Sequence, residues 1–178
     1  MKKSVLLLSA ILFTFSMQGQ IQTPASSPSA HMEQMVGLTD VTIEYSRPSM
    51  KGRTVFGNLV PFGKIWRTGA NANTTISFST DVTVDGQKLN KGTYAIYTKP
   101  EKDSWEVYFY SETDNGGLPQ KWDDSKVVAK VSAKVYPMSM SVESFTISLD
   151  DLTSESAVLG ILWEKTYVGV KFEVPTDA

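Results

Sequence analysis

The pattern that most constrains this chain is its period of two. Val41, Ile43 and Tyr45 alternate with Thr42 and Glu44, and Trp105, Val107 and Phe109 alternate with Glu106, Tyr108 and Tyr110. Side chains two apart share one face of a strand, so such runs predict half-buried strands. No segment sustains apolar residues at helical spacing. The runs are bounded by turn chemistry. Asp85-Gly86 suits a two-residue hairpin, whose central positions need positive φ. Lys91-Gly92 marks a second turn, Pro48 and Pro100 end strands, and Asp114-Asn115-Gly116-Gly117 is a loop. Further strands are predicted at 74–80, 82–84, 93–98, 127–135, 144–149, 157–164 and 167–174. The expectation is all-β: one β-sandwich, jelly-roll-like, of about nine or ten short antiparallel strands with little helix.

The ends are read differently. Lys2 and Lys3 precede an apolar run from Val5 to Met17, too short to cross a bilayer as a helix but right for a signal peptide. Cleavage is expected near Gly19–Gln20. Residues 20–35, rich in Ser with Pro24 and Pro28, are expected to form a flexible arm. The β-sandwich domain is expected over 36–174. No second apolar run of membrane length follows. The mature protein is therefore expected to be exported, periplasmic or extracellular, with no transmembrane segment.

Composition narrows the chemistry. There is no cysteine, which excludes disulfides, zinc-thiolate sites and a cysteine nucleophile. The one histidine is His31, in the expected arm, which is poorly placed for a Ser-His-Asp triad. A zinc site fails on ligand count. Calcium takes oxygen ligands, and Asp114/Asn115, Asp123/Asp124 and Asp150/Asp151 are the candidate sources. None has EF-hand spacing, and all three read as turn caps. No metal and no cofactor is expected. Paired carboxylates could in principle run glycoside hydrolysis, and Trp122, Tyr108 and Tyr110 could stack on a sugar. Trp105 and Trp163 are expected in the core.

One stretch departs from the acidic character of the chain. "YSRPSMKGRTVFGNLVPFGKIWRTGANAN", Tyr45 to Asn73, holds Arg47, Lys51, Arg53, Lys64 and Arg67 and neither Asp nor Glu. Of 17 basic residues, Lys2 and Lys3 leave with the leader. The remaining 15 stand against 19 acids, a net of −4; residues 45–80 contribute +5 and the rest −9. An acidic, exported protein is not expected to bind nucleic acid.

Two readings of the stretch stand side by side. Arginine carries five donors in a planar fork that suits carboxylates and phosphates. With Trp66, Asn71 and Asn73, the residues Arg47, Arg53 and Arg67 make a candidate site for a small polar or anionic ligand or an envelope glycan. Alternatively the arginines tie an irregular loop to the sheet as an internal clasp. The three are expected to converge. A clasp would meet each guanidinium with an acid from 81–178; a site would turn at least two into a shared concavity without a carboxylate.

The segments "GLTDVTIEYSRPSMKGRTVFGNLVPFGKIWRTGANANTTISFSTDVTVDG", "LNKGTYAIYTKP" and "SWEVYFY" resemble the DUF2911 family of exported bacterial proteins, over about Pro28 to Val174. The resemblance rests on the Tyr-Ser-Arg-Pro, Gly-Arg, Trp-Arg-x-Gly-Ala-Asn and Gly-x-Tyr motifs. It implies a β-rich domain behind a signal peptide and no catalytic residue. The function expected is therefore a non-catalytic binding or envelope-associated module, with a glycan-directed hydrolase and a purely structural domain as alternatives.

Overall fold

The computed structural model describes residues 23–177. The expected signal peptide, 1–19, and the first residues of the expected arm lie outside them. Among the described residues nine strands form: β1 (Ser29–Val36), β2 (Thr39–Ser46), β3 (Thr75–Phe78), β4 (Val82–Val84), β5 (Gln87–Leu89), β6 (Gly92–Pro100), β7 (Ser104–Tyr110), β8 (Val127–Asp150) and β9 (Ser156–Glu173). One 3-10 turn, Asp124–Lys126, is capped by Asp123, whose carboxylate accepts from the Ser125 amide. All pairs are antiparallel, and hydrogen bonding joins the strands into one open sheet in the order β1-β2-β3-β6-β7-β8-β9-β4-β5. The all-β class and the strand number follow the period-two reading. The arrangement is a single continuous sheet rather than two separate ones.

Two departures from the sequence reading have clear causes. Residues 29–35, expected as the end of the flexible arm, are part of a strand. Strand β1 pairs with β2 from Ser29↔Ser46 to Val36↔Thr39, through a tight turn with Gly37 at φ 56°. As an edge strand it is mostly half-buried or exposed, so its sequence carries little apolar alternation. The four strands predicted over 127–174 are instead two long ones, β8 of 24 residues and β9 of 18. Register shifts between Pro137 and Val142, and between Val142 and Thr146, take up the irregular polar residues as bulges, which bend a strand without ending its ladder.

That bend organises the core. The first part of β8 pairs with β7 and the second with β9, so the sheet folds back over its own apolar face. Across the core Phe78 of β3 meets Phe172 of β9, with ring centroids 5.3 Å apart, and Tyr45 of β2 meets Phe145 of β8 at 5.7 Å. The Tyr45 hydroxyl accepts from the Ile147 amide at 3.2 Å. Trp105, Val107 and Phe109 are buried on this side, as their alternation predicted. The opposite face of β6 and β7 carries a second cluster, Ala95, Tyr97, Tyr108 and Tyr110, covered by Trp122. At the far edge Gln87 of β5 imitates a peptide group: its Nε2 donates to the Lys130 carbonyl at 2.9 Å and its Oε1 accepts from the Lys130 amide at 3.2 Å. Between β2 and β3 the chain leaves the sheet for residues 47–74, which hold all five cations of the basic stretch.

Candidate functional site

The excursion is irregular but fastened at intervals. Ser49 bridges to Ser144 of β8, and the Met50 amide donates to the Glu143 carbonyl at 2.9 Å. Lys51 and Gly52 follow with φ of 50° and 73°, a reversal that glycine permits cheaply. Val55 and Val60 turn inward and are buried. Trp66 then pairs with Thr98 of β6, donating its amide to the Thr98 carbonyl at 2.7 Å and accepting in return at 3.0 Å. Thr68 sits at φ 54°, unusual for a β-branched residue, and is fully buried. Its hydroxyl donates to Thr98 Oγ1 at 3.1 Å, and its carbonyl accepts from Thr74 Oγ1 at 2.6 Å. These bonds hold the backbone beside Arg67 in a conformation that the local sequence alone would disfavour.

The fastened loop and the top of the core border an open cavity of about 500 Å³. Lys51, Arg53, Lys64 and Arg67 stand on its lining, and no Asp, Glu or His does. Among the described residues none of these four cations forms an ion pair; the pairs present lie elsewhere, as in Lys88–Asp81, Lys126–Glu112 and Lys130–Glu106. The same lining includes the indoles of Trp66 and Trp163, stacked with centroids 5.8 Å apart and planes at 21°. Trp66 is half-buried, packed edge-on against Phe56, Trp105 and Phe145, and its Nε1 donates to the Gly69 carbonyl at 3.1 Å. It is a fixed, partly exposed part of the wall.

The three arginines divide. Arg47 is a clasp: its Nε donates to the Phe145 carbonyl at 3.0 Å and its Nη2 to Thr146 Oγ1 at 2.9 Å, both on β8. It does not line the cavity, so the expected convergence of all three is corrected to two. The counter-groups of this clasp are a carbonyl and a hydroxyl rather than acids, because loop and strand here meet backbone to backbone. Arg53 donates from Nε to the Met50 carbonyl and from Nη2 to the Ser49 carbonyl, both at 2.8 Å, which props it within its own turn. Arg67 donates from Nη1 to the Asn71 carbonyl at 2.8 Å.

The two asparagines are structural. Asn71 donates from Nδ2 to the Ser27 carbonyl at 3.0 Å and holds the entering chain. Asn73 donates from Nδ2 to the Tyr97 hydroxyl at 2.8 Å and accepts from the Gly117 amide at 2.6 Å. Neither is on the cavity lining. What sequence reasoning missed is Lys51 and Lys64, already in the acid-free stretch, together with Leu118, Ser26 and Ser27, which distant segments bring to the wall. Trp163 is both core, at 2% exposure, and cavity lining. No sequence signal separates those two roles.

The other candidates lie apart. His31 pairs with Glu44, Nδ1 to Oε1 at 3.3 Å, on the exposed face of the β1–β2 edge. Trp122 packs on Tyr97, Tyr108 and Tyr110 and donates to Asp124 Oδ1 at 2.8 Å. Asp150 accepts from the Ser148 and Tyr167 hydroxyls, and that partner, after burial, pushes the Tyr167 phenol up. Among the described residues no group of three or more His, Cys, Asp and Glu is gathered for a metal ion, and no helix is long and apolar enough to cross a membrane.

The sequence profile of the family described as "Protein of unknown function (DUF2911)" matches residues 27–172. No curated protein and no solved structure matches.

Proposed function

Since the chain belongs to the DUF2911 family, whose description assigns no chemistry, we propose from the site itself that it is a non-catalytic binding module. It takes a small anionic or strongly polar ligand into the cavity beside Trp66. The observation that carries this reading is the lining: Lys51, Arg53, Lys64 and Arg67 with no carboxylate among them. Unpaired cations around one concavity repel one another, and an anion relieves that repulsion while gaining hydrogen bonds from planar forks.

A glycan hydrolase needs two carboxylates flanking the scissile bond, and the cavity lining supplies none. A purely structural role accounts for Arg47 but leaves the side chains of Arg53, Arg67 and both lysines without an ion-pair partner among the described residues. The leader-like residues 2–17 support export, to the periplasm or beyond, as the setting. Cell fractionation with intact-mass measurement tests that part, and exported protein retaining residues 1–19 would contradict it.

The binding claim is tested by native mass spectrometry of the protein purified gently from its own cells. A retained small anion is expected, lost in the Arg53→Gln, Arg67→Gln double variant. A ligand retained equally by the double variant would place binding elsewhere.

A further inference from the structure

The cavity is more than a patch of positive charge. Leu59 and Leu118 are among the large apolar side chains left exposed by the fold, at 40% and 43%, and both stand on this lining. Pro61 is on the same lining, and so is Ile65, which also packs against the second cluster. Apolar side chains and cations thus share one concavity, a mixed lining that suits a ligand with an apolar part and a charged part. A bare inorganic anion would fill little of about 500 Å³ and would leave these side chains wet.

Rigidity points to the shape of what covers them. The Trp66 indole is fixed by the Phe56, Trp105 and Phe145 rings and by its bond to Gly69. A preorganised aromatic wall favours a flat, rigid partner, which packs against its exposed part, edge or face, with little ordering cost on either side. The guanidiniums point to the polar end. Arg53 spends its Nε and Nη2 on carbonyls of its own turn. Arg67 spends only Nη1, on Asn71, so its Nε–Nη2 edge makes no hydrogen bond to protein among the described residues. That edge is the fork that grips two oxygens of one oxyanion.

Resting on the binding reading above, we propose that the ligand is an amphiphilic organic oxyanion. It carries a carboxylate, sulfate or phosphate on a flat apolar ring system, with the oxyanion on Arg67 and the ring against Trp66 and Leu118. Lys51 and Lys64 add charge without demanding a geometry, which admits oxyanions of either one or two charges.

Calorimetric titration at low salt, with 1-naphthyl phosphate, 1-naphthoate, 1-naphthol and inorganic phosphate as probes, tests the class. One or both naphthyl anions are expected to bind at least about tenfold tighter than 1-naphthol and than inorganic phosphate, a difference of about 1.4 kcal/mol. Which of the two is tighter distinguishes phosphate from carboxylate. Arg67→Lys is expected to weaken the preferred naphthyl anion about tenfold. Leu118→Ser, a change at an exposed position, is expected to weaken it and leave inorganic phosphate unchanged. Inorganic phosphate binding as tightly as the naphthyl anions would overturn the flat-ring class and leave the anion-binding reading standing. Naphthol binding as tightly would overturn both. No binding of either naphthyl anion would overturn the class alone, the broader reading then resting on the retained ligand.

Discussion

Arg67 donates from Nη1 to the carbonyl of Asn71 at 2.8 Å, four residues on in the same loop, while Asn71 itself holds Ser27. A single backbone bond therefore orients the guanidinium, and no acid neutralises it. On the proposed binding reading, the planar fork serves ligand geometry and contributes little to the fold. Arg67→Lys should leave the urea unfolding free energy within about 0.5 kcal/mol of the parent, while binding of the retained ligand falls. A large loss of stability with unchanged binding would instead make Arg67 part of the clasp.

Arg47 and Arg53 should separate cleanly. Arg47 makes its two bonds to β8 across 98 and 99 positions of sequence, and both are partly buried. Its removal leaves the Phe145 carbonyl without that donor, so Arg47→Ala should cost about 2 kcal/mol. Arg53 bonds only within its own exposed turn. Arg53→Ala should cost under about 1 kcal/mol and act on binding. Chemical denaturation of the two variants measures the contrast; equal costs would remove it.

Gly117 tests whether the neighbouring loop holds Arg67 in place. It adopts φ 120°, and a Cβ there would stand 2.7 Å from Arg67 Nη1 and 2.8 Å from the Asn71 carbonyl. Gly116, at φ 71°, has nothing within 4 Å of the same added atom. Both alanine variants should lose about 1 kcal/mol or more from backbone strain. Only Gly117→Ala should also weaken ligand binding, because it must move the guanidinium. Parallel melting and titration curves decide it, and equal binding by the two variants would contradict the coupling.

Glu106 gives the acid limb of stability. Lys130 Nζ donates to its Oε1 at 2.7 Å, the Tyr108 hydroxyl to its Oε2 at 2.7 Å, and Lys99 lies 3.2 Å away. These donors, Lys130 foremost, hold the carboxyl down to about 2 from its ordinary 4.5. A carboxylate depressed in the folded state stabilises fully above its unfolded value. That contribution is lost as pH falls from about 4.5 to about 2. Across this window the melting temperature of the parent should fall more steeply than that of Glu106→Gln. Parallel slopes would show that the pairing stores no stability.

Much of the fold was legible because its signals are local. Alternation at Val41–Tyr45 and Trp105–Tyr110 marks strands from neighbouring residues alone, and Asp85-Gly86 marks its turn by backbone preference. Strand β1 escaped notice because an edge strand draws its order from the ladder with β2 rather than from its own side chains. The continuity of β8 and β9 escaped because bulges absorb polar interruptions that otherwise read as loops.

The sequence by itself determined the strand periodicity, the absence of cysteine chemistry and the acid-free basic stretch from Tyr45 to Asn73. Only the tertiary structure decided how that stretch is used. Arg47 became a clasp because Phe145 and Thr146 arrive beside it from β8, and Asn73 became a strut because Tyr97 and Gly117 do. Arg53 and Arg67 were left on the cavity lining with the lysines because the acids that bond to this stretch, Glu143 and Glu164, are bonded to the Lys51, Val55 and Phe56 amides rather than to the cationic side chains. A side chain's donors are written in the sequence, but their acceptors come from residues distant along the chain, and folding alone assigns one to the other.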